Sequence, residues 1–330
     1  MIKLRKPLIT VLLIAAVSAG GLFFFYRSSA LPETARMLPE GEFILYANLK
    51  PVHLFWQSSK PVEVEGDYRE FMSQTGIDFE RDLDEVAMSR RDTQDRRDTE
   101  SSEIFVGRFD RQRVANYLAK ISSRQEEYAA HKIFVIPHEG HTVRTAILDA
   151  NRIAVTNMTS VDVIHQIIDA NQKLPAGPSL MQNFHEKVPT GALAWAIVRV
   201  GPNTNNQPSS GWSFDFLENT ITVASLRYNG DLLVRADVIA GSENEARKVA
   251  DSAGAFVAMY RTISRSLGTK GADPDVKAAL DGIQVEQRKN VAAFTATLSQ
   301  RFLKKIVSDA QSGISSPLPS PSPSPSAPRR

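Results

Sequence analysis

Two histidines three residues apart are the part of the sequence closest to a metal-binding motif. They stand at the ends of His138-Glu139-Gly140-His141. Two imidazoles at this spacing can chelate a metal when they share one face of a helix. This segment instead lies between two strand-like runs with a glycine at the bend, and no further His or Cys pair completes a site. The sequence therefore predicts a hairpin turn here and no metal ligand.

Motifs for nucleophilic and acid–base catalysis are also incomplete. Gly211-Trp212-Ser213-Phe214 lacks the closing glycine of a nucleophile elbow, and Ser266-Leu267-Gly268-Thr269-Lys270 has the wrong spacing for a Ser-x-x-Lys pair. No phosphate-binding glycine pattern occurs. A short acidic run could do acid–base chemistry, but it is more typical of a solvated turn before a strand: Glu80, Asp82, Asp84 and Glu85. We predict no catalytic residue, no cofactor-binding residue and no cofactor.

Composition excludes several further functions. The chain has no cysteine, which excludes disulfides, thiolate zinc sites and lipidated cysteines and favours a bacterial envelope over a secreted eukaryotic domain. Of the net charge of +2, four positive charges fall within residues 1–30, which leaves −2 for residues 31–330. A nearly neutral body lacks the clustered cations that nucleic-acid binding needs. We therefore predict no nucleic-acid partner.

Residues 7–26 form an uninterrupted stretch without charge. A helix of this length spans roughly 30 Å, the thickness of the hydrocarbon core of a bilayer. The basic head at 1–6 precedes it, so the positive-inside rule predicts a transmembrane helix with a cytoplasmic N-terminus and an extracytoplasmic body. The alternative is a signal peptide cleaved after Ser28-Ser29-Ala30. Under either interpretation the body is exported from the cytoplasm.

The body contains an internal repeat. Leu38-Pro39-Glu40-Gly41 and Val188-Pro189-Thr190-Gly191 each open an alternating run, and Asn151 to Thr156 matches Asn290 to Thr295. Matched anchors in the same order indicate two copies of one supersecondary plan. We expect a first α+β copy at 38–172 and a second at 178–312.

Within the copies the patterns predict hairpins followed by helices. Asn229-Gly230 favours a two-residue type I′ turn between strands 221–228 and 232–240. Ser242 and Glu245 form a capping box before a helix with a stripe through Val249, Ala253, Phe256, Tyr260 and Ile263. A helix after residue 160 has Val163, Ile164, Ile167 and Ile168 on one face, and a last helix is expected at about 300–310.

Three stretches lack the apolar residues of a core. Residues 90–103 mix both signs of charge, and residues 201–211 are rich in Asn and Pro, so both are predicted to be loops. The end of the chain alternates Pro and Ser, which predicts a disordered tail at 313–330.

These features predict an α+β fold class: an N-terminal transmembrane helix followed by two similar copies of antiparallel strands with helices packed on one face. With its repeated Leu-Pro-x-Gly and Val-Pro-x-Gly strand openings, the chain resembles uncharacterised bacterial envelope proteins in which a membrane helix carries a duplicated α+β extracytoplasmic domain. The resemblance implies a location and an architecture, and it implies no site residue.

The sequence favours a non-enzymatic binding or structural module of the cell envelope. Its expected partners are the membrane, through residues 7–26, and an envelope protein or a second copy of the chain, through sheet edges or the loops 90–103 and 201–211. The alternative is an envelope hydrolase or carbohydrate-processing enzyme whose carboxylates converge only in the fold. A third option is a ligand sensor with a pocket between the two copies.

Overall fold

The computed structural model describes residues 31–51, 53, 67–92, 99–138, 140–201, 217–266, 278 and 281–299. Their strands form one antiparallel sheet of twelve strands. The strands are β1 (Phe43–Asn48), β2 (Leu83–Asp92), β3 (Thr99–Gly107), β4 (Arg124–Tyr128), β5 (His131–His138), β6 (His141–Ile147), β7 (Arg152–Thr156), β8 (Ala194–Val200), β9 (Thr220–Tyr228), β10 (Leu232–Ile239), β11 (Gln284–Arg288) and β12 (Val291–Leu298).

The strand order across the sheet is β11-β12-β10-β9-β8-β1-β2-β3-β7-β6-β5-β4. The seam at its centre is the antiparallel pairing of β1 with β8, from Phe43 opposite Val198 to Ala47 opposite Ala194. On either side of the seam the first neighbours follow the same plan, β1-β2-β3-β7 on one side and β8-β9-β10-β12 on the other. Beyond β7 the sheet continues with β6, β5 and β4, and beyond β12 it continues with β11 alone.

Helices pack on both faces of the sheet. Consecutive strand residues point to opposite faces, and Ile133 and Phe134 accordingly belong to different hydrophobic clusters. We call the face of Ile133, Ile44 and Ile197 the front face and the face of Phe134 the back face. The front face carries α1 (Glu33–Arg36), α5 (Asp162–Gln172) and α6 (Ser179–Phe184). The back face carries α2 (Asp67–Thr75), α4 (Arg111–Ile121) and α7 (Glu243–Ser266). The remaining helix, α3 (Phe79–Asp82), is a single turn before β2.

The largest core lies on the front face and crosses the seam. Ile44 on β1 and Ile197 on β8 are fully buried in it, together with Ile164 and Ile168 of α5. Burial of side chains of this size stabilises a fold by about 1.5–3 kcal/mol each. The seam is therefore part of the hydrophobic core and not a boundary between two separate cores.

The predicted fold class is wrong. The strands form one continuous sheet instead of two separate α+β units, and the helices cover both faces instead of one. Local alternation predicts a strand but does not show which strand pairs with its free edge, and here β1 and β8 pair with each other. The domain boundaries at 38–172 and 178–312 stay a prediction.

No helix among the described residues is long and apolar enough to cross a membrane. The predicted transmembrane segment, 7–26, lies outside the described residues, as do the basic head at 1–6, most of the loop predicted at 201–211, the helix predicted at about 300–310 and the tail predicted at 313–330. The assignments of a transmembrane helix, a membrane protein and a signal-anchor therefore have no support in the structure and are withdrawn.

The charged stretch at 90–103 is not simply a loop. Its two ends continue β2 and β3 as a hairpin in which Arg91 stands opposite Glu100 and Asp92 opposite Thr99, and only residues 93–98 lie outside the described part. Low apolar content predicted a loop, but cross-strand pairs of opposite charge also stabilise a ladder.

Two local predictions in the second half are confirmed in outline and differ in detail. The β9–β10 hairpin forms, but its loop has three residues, since Tyr228 pairs with Leu232, and of its residues only Gly230 has a positive φ. Ser242 Oγ accepts from Glu245 N at 3.2 Å, as the capping box predicts. The stripe on α7 is buried at Val249 and Ala253, but Phe256 is 47% exposed, and its neighbour Val257 is the less exposed of the two.

Candidate binding groove

The two histidines of the metal-like motif close a hairpin. His138 pairs directly with His141 at the β5–β6 turn, and Gly140 takes a φ of +83° that suits glycine. Glu139 lies outside the described residues. Within the described part of the chain no group of three His, Asp or Glu residues is placed to hold a metal ion. The segment is a turn, as the sequence predicted.

Asp82 and Glu85, two carboxylates of the predicted acidic run, each make structural contacts of their own. Asp82 accepts from Asp78 N at 3.0 Å and lies 3.5 Å from Arg108 Nη2. Glu85 accepts from Thr34 Oγ1 at 2.9 Å and lies 3.7 Å from Lys50 Nζ. The side chain of Glu80 and most of the two nucleophile-like segments, 211–214 and 266–270, lie outside the described residues. The carboxylates of Asp82 and Glu85 thus have separate partners.

Tyr46 completes the contacts of Glu85. Burial raises the pKa of the Tyr46 phenol, and the charge of Glu85 and a hydrogen bond to it raise that pKa further. The phenol therefore stays protonated and donates to the carboxylate, so it is a poor general base. Through Thr34, this arrangement ties α1 to the first two strands.

The described residues form an open groove on the front face. One wall is the segment 36–40 between α1 and β1, another is the outward side of α5, and the third is the segment 175–178 that leads into α6. Its volume is about 410 Å³, within the range of about 300–1,000 Å³ typical of small-ligand sites. The lining residues are Arg36, Met37, Leu38, Pro39, Glu40, Gln166, Asp169, Ala170, Lys173, Pro175, Gly177 and Pro178.

Cross-links between two of these walls fix the shape of the groove. Arg36 Nε donates to the carbonyl of Pro175 at 2.8 Å. The carboxylate of Glu40 accepts from both N and Oγ of Ser179, each at 2.8 Å, and so binds the first turn of α6. Gly177 has a φ of +97°, and a Cβ there would stand 3.0 Å from Arg36 Cα. The two segments are held in contact before any ligand arrives.

The wall made by α5 supplies polar groups of both kinds. Gln166, Asp169 and Lys173 recur at helical spacing on its outward side. Asp169 Oδ2 accepts from Tyr128 OH at 2.9 Å, and this hydrogen bond raises the pKa of Tyr128. The Tyr128 ring stacks on His165 at a centroid distance of 3.9 Å. The amide of Gln166 and the ammonium of Lys173 have no partner among the described residues.

Sequence analysis did not find this groove. Its walls come from residues 139 positions apart, as the Arg36–Pro175 and Glu40–Ser179 hydrogen bonds show. The available signals were the prolines at 175 and 178 and the polar spacing on α5, and neither shows which segment lies opposite.

No protein-family model matches the chain. No curated protein matches it either. Among solved structures the chain is similar to crystal forms I, III and IV of TP0453, at 9%, 10% and 10% identity and TM-scores of 0.42, 0.43 and 0.43. These alignments cover 85% of this chain and 98% to 99% of TP0453. At this level of similarity the likeness supports no conclusion about function.

Proposed function

We propose that the chain is a binding module whose ligand-contacting surface is the front-face groove. The observation that carries this proposal is a preformed concavity of about 410 Å³ with two walls that are cross-linked by hydrogen bonds. Preorganisation of this kind raises affinity because less conformational entropy is lost when the ligand binds.

The lining favours a short peptide segment of a partner protein. Lys173 and Gln166 offer donors, while the second carboxylate oxygen of Asp169 and the last carbonyls of α5 offer acceptors. Of the apolar lining residues, Pro175 is exposed and offers a surface for an uncharged side chain, whereas Met37, Leu38, Pro39, Ala170 and Pro178 are buried. A peptide backbone carries donors and acceptors in alternation and so complements a surface that has both.

The groove is a better docking surface than the edges of the sheet. The edge strand β4 presents Arg124, Glu126 and Glu127, and the other edge strand, β11, presents Glu286 and Arg288. Both strands have only five residues. Short, charged edge strands oppose pairing with a further strand, so we do not assign partner binding to them.

The proposed location of this module is the bacterial envelope, outside the cytoplasm. The absence of cysteine and the basic head before residues 7–26 support export. The partner is then an envelope protein or a second copy of the chain.

The proposal is tested by NMR on the isotopically labelled full chain. The probe is an equimolar mixture of tripeptides whose three residues are drawn from Leu, Ala, Lys and Glu. It should shift the amide signals of Leu38, Ala170 and Gly177 in a saturable manner. Lys173→Glu should weaken this binding by about tenfold, since it replaces a donor with a like charge beside Asp169. The matched control is Lys132→Glu, an exposed position on the back face, which should leave the shifts unchanged. Shifts spread over the surface, or equal binding by Lys173→Glu, would contradict the proposal.

A further inference from the structure

Arg144 is the only charged residue among the buried positions of the described chain. It lies on the front face of β6 and is 8% exposed. Its cross-strand neighbours are Val135 on β5 and Thr156 on β7. A guanidinium carries a permanent charge and five N–H donors. Its burial is costly unless the charge is compensated.

The guanidinium is only partly satisfied within the protein. Nη1 donates to the carbonyl of Met158 at 3.2 Å, whereas Nε is buried and has no hydrogen-bond partner. In the part of the chain that the structure describes, no carboxylate forms an ion pair with Arg144. Glu100, on the front face of β3, instead accepts from Thr159 N at 3.0 Å. The charge of Arg144 is therefore not balanced by an acidic side chain.

The bond to Met158 leaves one edge of the guanidinium without a protein partner. Nε and Nη2 form the edge that binds two oxygens of a carboxylate or phosphate side by side. Neither nitrogen has a partner in the described residues, and only Nε is fully enclosed. Because Nε is enclosed, an oxyanion that approaches from the solvent can reach only Nη2 on this edge.

The surroundings leave an approach to Arg144. Thr142 and Pro137 pair with each other in the next row on the same face and are both exposed. Met158 belongs to the segment that leads into α5.

We propose that Arg144 is the anchor of an oxyanion-binding site, which takes a carboxylate or phosphate group at Nη2. The site is distinct from the groove, because Arg144 does not line the groove. It does not depend on the proposed peptide binding.

The site is tested with inorganic phosphate and with acetate as separate probes on the full chain. Thermal unfolding is followed at constant pH and constant ionic strength, with chloride replaced stepwise by each anion. The wild-type Tm should rise in a saturable manner, because a ligand that binds only the folded state stabilises it. Arg144→Met should abolish the saturable rise, and Arg144→Lys, which keeps the charge but not the Nη2 donor, should weaken binding by about tenfold.

The matched control is Arg199→Met, on the exposed front face of β8. It should respond to both anions as the wild type does. If Arg144→Met does not fold, calorimetric titration of the wild type and Arg144→Lys gives the same comparison. A saturable response to phosphate but not acetate assigns a phosphate group, and the reverse assigns a carboxylate. Equal responses of the wild type and the Arg144 variants, or no saturable response in the wild type, would overturn the proposal.

Discussion

His185 shows how one buried ring couples stability to pH. It begins the single 3₁₀ turn after α6 and meets Trp195 edge to face at a centroid distance of 5.3 Å. Burial lowers its pKa below the usual 6.5. As the pH falls below about 6.5 the unfolded chain takes up a proton at this residue before the folded chain does. The contribution of His185 to stability is therefore complete above that pH and is lost as the pH falls towards the lowered folded pKa.

We expect His185→Phe to flatten this part of the pH dependence. Phenylalanine keeps an aromatic ring against Trp195 and cannot be protonated. Urea unfolding between pH 5 and pH 8 measures the free energy of unfolding, and the difference between variant and wild type should grow in favour of the variant as the pH falls. His138→Gln, at the exposed β5–β6 turn, is the control and should follow the wild type. Parallel curves for His185→Phe and the wild type would show that His185 is not the group responsible.

At the level of single residues, the sequence predicts local roles better than distant ones. The His138–His141 turn was predicted correctly because Gly140 and both strands are adjacent in the chain. The role of Glu85 was not predicted, because its partner Thr34 is 51 positions away. The same limit applies to the groove and to Arg144, since their surroundings are assembled from segments that are distant in sequence.

Among the elements, α4 was missed by sequence analysis although it has a clear start. Asp110 Oδ1 accepts from Gln112 N at 3.0 Å and from Arg113 N at 3.1 Å, so one carboxylate satisfies two free amides of the first turn. Val114 and Leu118 then pack into the back-face cluster with Phe134 and Ile153. The two buried residues, one turn apart, give too weak a periodic signal among the polar residues of this helix.

The cap at Asp110 gives a prediction for the stability of the back face. Asp110→Ala should lower the free energy of unfolding by about 1 kcal/mol, because the two amides lose their acceptor. Asp110→Asn should recover most of this loss, since asparagine caps helices about as well as aspartate. Urea denaturation measures both variants. Asp251→Ala, at an exposed interior position of α7, is the control and should change stability by less than about 0.5 kcal/mol. A loss for Asp110→Ala no larger than that of the control would show that the cap is not stabilising.

Other elements show which signals the sequence carried. The β9–β10 hairpin and the capping box of α7 depend on residues within a few positions of each other, and both were predicted. The ends of β2 and β3 were interpreted as a loop because Arg90 to Asp92 are charged. Their backbone nevertheless continues the ladder, with Arg91 opposite Glu100. The charge of these side chains indicates that they are not buried, but it does not prevent their backbone from forming a strand.

For the whole molecule, the property that sequence analysis could not supply is the continuity of the sheet. The two halves were expected as separate copies because their anchors repeat in the same order. Nothing in the pattern of β1 or β8 showed that each would use its second edge to pair with the other. The result is a front-face core that extends from β5 across the seam to β9, and it includes Ile133, Ile44, Ile197 and Val223.

A continuous core predicts that the described halves unfold together. Ile197 lies at the seam and is 0% exposed. Its replacement by alanine removes three methyl or methylene groups and should destabilise the protein by about 3 kcal/mol. If the core is shared, this loss raises the opening rate of both halves. Hydrogen exchange should then report the same loss of protection at β7, in one half, and at β10, in the other.

The control for this prediction is Met259→Ala on α7, where the side chain is 53% exposed and the cost should be below about 0.5 kcal/mol. The comparison separates a shared core from two adjacent ones. In a shared core Ile197 packs against residues of both halves, so its replacement should lower the protection against hydrogen exchange in both. Protection lost at β10 but kept at β7, or two separate unfolding transitions in urea, would show instead that the seam joins two independent units by backbone hydrogen bonds alone.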